Sequence, residues 1–170
     1  MGAAAVAAAI RKQCGLQAGI KWPNDILIGG KKVAGLLTEM SAEQDRIRHI
    51  VLGIGIDVNM DPEALPPDVR GLATTLAAES GKAVDRTTLL RELLRELDRR
   101  YQVFCENDEE VLREWESLNV TIGSRVAVSG ARETLDGRAE RIDAEGRLVI
   151  RQDDGTIRTV AAGDVTILKR

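Results

Sequence analysis

Aromatic side chains make up only 2% of this 170-residue chain, too few for the stacked platforms that hold single-stranded nucleic acid. His49 is the single histidine, and Cys14 and Cys105 are the only cysteines. That inventory excludes a zinc cluster and leaves no Ser-His-Asp or Cys-His arrangement to build. His49, ahead of an apolar run, reads as an ordinary structural residue. Two isolated thiols without framework spacing fit a reduced, cytoplasmic compartment better than a disulfide. A formal net charge of −3 argues against a broad nucleic-acid or anionic-membrane footprint. No long hydrophobic run is present either. The start, MGAAAVAAAIRKQC, lacks a basic leader and meets Arg11 and Lys12 too soon for a secretion signal or a membrane span.

What is present is ordinary globular composition, 44% apolar and 30% charged. The alanine-rich start predicts a helix with small side chains, able to pack closely on a sheet. A helix this apolar belongs between layers, and the expectation is that part of its domain lies upstream. AGIKW predicts a strand ending at Pro23. DILIGGKKVAGLLTEMS predicts a hairpin turning at Gly29-Gly30, and RHIVLGIGIDVNM another strand, with Gly53 and Gly55 marking close approach to the backbone. A proline-rich loop, DPEALPPDVRG, leads to a short helix ended by Gly81. A longer helix follows, capped by Asp85 or Thr87, with Leu89, Leu90, Leu93, Leu94 and Leu97 on one face and its charges solvated. DEEVLREWESL predicts a third, acid-started helix. Beyond Val120, short alternating runs separated by SG, DAEG and DDG indicate a small all-β unit. The fold class is therefore α+β, with domains at 1–119 and 120–170.

The segment KWPNDILIGGKKVAGLL carries the chemistry. Pro23, Asn24 and Asp25 satisfy a plain turn, and Lys31-Lys32 a solvated hairpin tip. They are also compatible with a binding corner. Lys21 ends one strand, Lys32 starts the returning one, and Gly35, Gly53 and Gly55 would let a flat ligand lie against bare backbone. Paired ammonium groups over such a slot suit a carboxylate or phosphate. Asp25 would hold a lysine or help a metal that accompanies a nucleotide. Neither a Walker loop nor a dinucleotide fingerprint is present.

KWPNDILIGGKKVAGLLTEM followed by VLGIGIDVNM resembles the biotin protein ligase family, and GRAERIDAEGRLVIRQDDGTIRTVAAGDVTILKR resembles that family's SH3-like closing domain. The resemblance runs in order over almost the whole chain. It implies a class II synthetase-like catalytic fold, a partial mixed or antiparallel sheet with packed helices and its N-terminal part missing, followed by a small SH3-like barrel. It implies ATP, biotin and Mg2+ with ATP, and a two-step reaction. Biotin is activated to biotinyl-5′-AMP and then passed to a lysine of a biotin carboxyl carrier protein domain. By motif, Lys32 matches the principal ligand-contacting lysine, and Lys21, Asn24 and Asp25 match residues handling ATP phosphates, metal and positioning. Lys32, Lys21 and Asp25 are thus the expected catalytic set. Gly35 and Leu37 match the biotin pocket wall, and Gly53, Gly55, Ile56 and Asp57 the strand against the ligand.

There are two departures from the family pattern. The family commonly reads Gly-Ile-Gly-Ile-Asn-Val-Asn where this chain reads GIGIDVN. An ionised Asp57 can only accept hydrogen bonds, so it is expected to weaken ATP binding unless a metal or lysine compensates, while Asn59 is retained. The family's Gly- and Arg-rich adenylate loop would lie upstream of residue 1, as would a winged helix. The chain alone is therefore expected to be inactive or weak, and not to bind DNA. Two other readings stand beside this one. In the first, the chain is a non-catalytic interaction module docking a biotin acceptor or a partner ligase chain. In the second, an exposed core surface and bare sheet edge pair the chain with its own copy as a homodimer.

Overall fold

The computed structural model describes residues 1–43, 46–129 and 134–168. Its first helix, α1 (Gly2–Cys14), buries Ala3, Ala4, Ala5, Val6, Ala7, Ala9 and Ile10. Alanines keep the helix narrow, so it lies directly between a sheet and the longer helix α3 (Arg86–Glu106). Gly15, in the left-handed conformation, ends it by donating its N–H to the Arg11 carbonyl.

Four antiparallel strands follow in sequence order as a meander: β1 (Gly19–Lys21), β2 (Asp25–Ile28), β3 (Lys31–Glu43) and β4 (Arg46–Ile56). The hairpin between β2 and β3 turns on Gly29 and Gly30 with φ of 58° and 82°. Both central positions of this two-residue loop are left-handed, which only glycine adopts without strain. Strand alternation divides the sheet. Ile20, Ile26, Ala34, Leu36, Leu52, Ile54 and Ile56 pack toward α1, and the other face carries the lysine corner. Leu37, Met40, Ile47, Ile50 and Val51, on the arm of the β3–β4 hairpin, are exposed.

After a 3-10 turn at Pro62–Ala64 come α2 (Leu76–Ser80), capped by the Thr75 hydroxyl, and α3, whose cap is Asp85, accepting from the Thr88 N–H at 2.7 Å. The leucine stripe of α3 is narrower than its sequence predicts. Leu89 and Leu93 are buried and Leu97 packs beside them, whereas Leu90 and Leu94 are 55% and 56% exposed. Adjacent helical residues point about 100° apart, so one slim partner helix covers only one leucine of each pair. The charges of α3 are also not all solvated. Glu92 is buried against Lys12, and Arg100 is buried between Glu96 and Glu114.

Helix α4 (Asp108–Ser117) starts on an Asn107 cap with Asp108, Glu109 and Glu110 in its first turn. Five strands then form a second antiparallel sheet, ordered β8-β7-β6-β5-β9: β5 (Arg125–Ser129), β6 (Thr134–Ile142), β7 (Leu148–Arg151), β8 (Ile157–Val160) and β9 (Asp164–Ile167). The run TIRTVAAGDVTIL forms two strands, broken at residues 161–163. The expected SG turn after β5 includes Gly130, outside the described residues. All five strands feed one core, through Val126, Ala139, Ile150, Val160 and Val165 among others. No pairing among the described residues closes them into a ring. Among the described residues no helix is long and apolar enough to cross a membrane, and both cysteines are free thiols.

Candidate functional site

Within KWPND, Lys21 and Asp25 share one face of the sheet while Trp22 turns into the second core. Lys21 and Asp25 are register partners across β1 and β2, on the face away from α1. Lys21 Nζ donates to Asp25 Oδ2 at 3.2 Å, and Lys32 Nζ lies 2.5 Å from Asp25 Oδ1. One carboxylate therefore holds both lysines. Asn24 clamps the corner onto β3: its Nδ2 donates to the Leu36 carbonyl at 2.6 Å, and its own carbonyl accepts from the Leu36 N–H at 3.0 Å. Trp22 turns the other way, into the core of the second sheet. The Trp22–Pro23 peptide is cis.

Glycine shapes the floor. Asp25, Gly35 and Gly55 are successive register partners across β2, β3 and β4, and Leu37 pairs with Gly53. A Cβ added at Gly35 would come 3.1 Å from both Cε and Nζ of Lys32 and 3.6 Å from Asp25 Oδ1. That glycine lets the lysine fold back across the strand. At Gly53 and Gly55 a Cβ would meet only ordinary contacts, at 3.6 Å and 3.9 Å. The fold thus tolerates a larger residue at both positions, while strand interiors are weakened by glycine. The bare backbone there is not demanded by packing. Leu37 stands exposed beside it. Ile56 instead sends its side chain to the helix-packed core, leaving its backbone alone at this end of the strand.

Lys32 is also fixed by its backbone. Its N–H donates to the Leu72 carbonyl, and its carbonyl accepts from the Thr74 N–H, both at 2.8 Å. Sequence reasoning misses the segment 72–74, because a lone backbone bridge has no residue signature. Asp57, half-buried, donates its N–H to the Val33 carbonyl at 2.9 Å. Burial pushes its carboxyl above the usual carboxylate range, and the positive charge of Lys32 pulls it back. Lys32 thus offsets the burial of Asp57 only in part, and its own ion-pair partner is Asp25. Asn59 is occupied elsewhere: its amide exchanges two hydrogen bonds with the Val84 backbone, both 2.9 Å. Its retention is explained by the loop and not by the site. Among the described residues no cluster of three or more His, Cys, Asp or Glu could hold a metal ion.

The chain has counterparts among known proteins. Residues 1–57 match the Biotin/lipoate A/B protein ligase family, and residues 121–168 match the Biotin protein ligase C terminal domain. The chain belongs to the biotin protein ligase family. Bifunctional ligase/repressor BirA of Bacillus subtilis is 36% identical over 168 residues, covering 98% of this chain and 51% of that protein. Biotin--[acetyl-CoA-carboxylase] ligase of Mycobacterium tuberculosis is 36% identical over 155 residues, covering 90% and 54%. The chain thus spans about half the length of these curated relatives. Biotin protein ligase from Aquifex aeolicus, solved in complex with biotin and ATP, superposes with a TM-score of 0.81. It is 26% identical over 99% of this chain and 69% of that one. The α+β architecture with two antiparallel sheets is that of biotin protein ligases.

Proposed function

We propose that this chain supplies the phosphate-facing and biotin-facing strands of a biotin protein ligase, which activates biotin with ATP and transfers it to a lysine of a biotin carboxyl carrier protein. The observation that carries this reading is the pair of lysines sharing Asp25 over a glycine floor. Two ammoniums and one carboxylate leave one net positive charge, suited to an anion that is pentacovalent or anhydride-like for part of the reaction.

In the first step a biotin carboxylate oxygen bonds to the α-phosphorus of ATP and the bond to pyrophosphate breaks. In the second, the amine of the acceptor lysine bonds to the biotinyl carbonyl carbon, AMP leaves, and the amine loses a proton. Lys32, 48% exposed, is the cation free to swing onto the adenylate phosphate and the biotin carboxyl. Lys21, at 17%, stays with Asp25 and faces the ATP phosphates. Asn24 holds the corner on β3. Gly35, Gly53 and Gly55 admit the flat ligand, Leu37 forms its apolar wall, and Asp57 with the backbone of Ile56 closes the strand end. Mg2+ enters with ATP as part of the substrate, since both oxygens of Asp25 are already engaged. The catalytic portion would be residues 1–119 and the closing domain 120–170. The exposed Leu37, Met40, Ile47, Ile50 and Val51 support self-association along the β3–β4 arm.

The deciding assay supplies the half of the Bacillus subtilis relative that lies outside the matched region, together with ATP, Mg2+, biotin and a carrier domain. Biotin transfer that appears on mixing and disappears with Lys32→Ala is expected. Transfer unaffected by Lys32→Ala would overturn the role of that lysine. Binding of the carrier without any transfer would favour a docking module.

A further inference from the structure

We infer that Trp22 and Thr121 are positioning residues that lock the lysine corner to the C-terminal sheet, so that the second sheet sets the geometry of the first sheet's anion site. Trp22 lies between Lys21 and Asn24 in sequence, yet it is 2% exposed and belongs to the core made by β5, β6, β7 and β9. Its indole N–H donates to the Gly146 carbonyl at 2.9 Å, in the turn between β6 and β7. Its backbone N–H donates to the hydroxyl of Thr121, also at 2.9 Å, and Thr121 is itself fully buried.

These contacts continue a ladder. The Ile20 N–H donates to the Leu118 carbonyl and the Val120 N–H to the Ile20 carbonyl, both at 2.8 Å, so the connector to the second sheet runs beside β1 as a parallel bridge. The approach is close enough that a Cβ on Gly19 would collide with Val120 Cγ1. Asn119 braces the connector, its Oδ1 accepting from the N–H groups of Thr121 and Ile122. The strand that ends in Lys21 is therefore held on one side by β2 and on the other by the connector. A side chain inserted this deeply does not pivot independently of its neighbours. Any shift of the second sheet is passed through Trp22 to Lys21 and Asn24, the residues on either side of the Trp22–Pro23 pair. Only the consequence for ATP rests on the proposed function.

The test uses amide hydrogen exchange on the full chain. Thr121→Val keeps the volume and removes the acceptor, leaving a buried Trp22 N–H unpaired, and Thr121→Ser restores the hydroxyl. The reporter is the Leu36 N–H, bonded to the Asn24 carbonyl, and the reference is the Ile10 N–H in α1. Thr121→Val is expected to speed exchange at Leu36 by about tenfold relative to Ile10, the scale of one unsatisfied buried donor. Thr121→Ser should return it to the parent rate, and Trp22→Phe, which loses the indole bond to Gly146 and leaves a cavity, should also speed exchange at Leu36 more than at Ile10. Equal acceleration at both amides would mean Thr121 merely stabilises the whole fold, and no acceleration would mean the corner holds itself; either overturns the inference. ATP binding by calorimetry forms a separate arm. If the parent chain binds ATP, Thr121→Val should weaken it several-fold and Thr121→Ser should not. If ATP binds only once the complementary half of the Bacillus subtilis relative is added, the arm is run on that mixture. Absence of binding there counts against the functional reading, while the exchange comparison still decides the positioning claim.

Discussion

Replacing Asp25 with asparagine removes the one charge that two lysines share. The Lys21–Asp25 pair is largely enclosed, with side chains 17% and 14% exposed. Removing one member of a fully buried pair costs about 3–5 kcal/mol, because the other charge is left without a partner. The residual exposure here reduces that to about 2–3 kcal/mol, since water reaches part of the ammonium. Lys32 is 48% exposed and adds no more than about 1 kcal/mol, as expected of a surface pair. With unfolding entropy near 2.1 cal/mol/K per residue, a 170-residue chain losing about 3 kcal/mol drops its melting temperature by about 8 °C. Calorimetric melting at neutral pH measures this directly. Adding Lys21→Met to Asp25→Asn should recover most of the loss, because the stranded charge goes with it. A single variant melting within a degree of the parent, or a double variant that loses the sum of both, would refute the shared-carboxylate reasoning.

Gly35→Ala should cost under about 1 kcal/mol, since its Cβ meets the flexible end of Lys32 at 3.1 Å, yet it should lower biotin transfer in the mixed assay by displacing that amine; transfer and melting together check the split. Asp57→Asn should stabilise the fold at neutral pH. The Asp57 carboxyl titrates above its ordinary 3.8 in the folded state, so its contribution is full below that value and is lost as pH rises through the raised one. The advantage of Asp57→Asn in melting temperature should therefore vanish in acid. Leu93→Ala should cost about 2–5 kcal/mol in denaturant unfolding, while Leu90→Ser and Leu94→Ser should each fall within about 0.5 kcal/mol; equal costs would contradict the narrow α3 stripe. Lys32→Ala should change the melting temperature by no more than a few degrees, matching a pair worth about 0–1 kcal/mol, and abolish transfer in the mixed assay.

Elements with strong local signals are legible in the sequence itself. Alanine spacing and a terminal glycine mark α1, Gly29-Gly30 marks the hairpin, and Asp85 marks the start of α3. Strand alternation likewise puts Lys32 on the Asp25 face, because the two-residue turn pairs Lys32 with Leu27. The Asp25–Gly35 pairing beyond it depends on a register shift between Ile26 and Leu27 that has no sequence signal. What is not legible depends on partners distant in sequence. Leu90 and Leu94 look identical to Leu89 and Leu93 until the width of α1 is known. Glu92 and Arg100 look like surface charges until Lys12 and Glu114 are placed against them. Trp22 reads as one more turn residue, and scarcity of aromatics does not mark it, since Tyr101 and Phe104 are exposed. Its partners lie about a hundred residues on, at Thr121 and Gly146.

The division of exposure between the two lysines gives the corner its direction. A carboxylate that held both lysines equally would compete with an incoming phosphate for both, and any gain in ligand contact would be offset by the ion pairs broken. Asp25 is asymmetric instead. It keeps Lys21 in an enclosed pair and meets Lys32 at the open side of the glycine floor. Under the proposed function, an anion arriving over Gly35 would displace only the Lys32 contact, the more exposed one, and would gain an ammonium already anchored by Leu72 and Thr74 through its backbone. Lys21 meanwhile remains beside Trp22 and cannot follow. The cation that moves is thus supported by the first sheet and its loop. Lys21 adjoins Trp22, whose N–H donates to the Thr121 hydroxyl, so the proposed coupling would reach Lys21 from a residue remote in sequence.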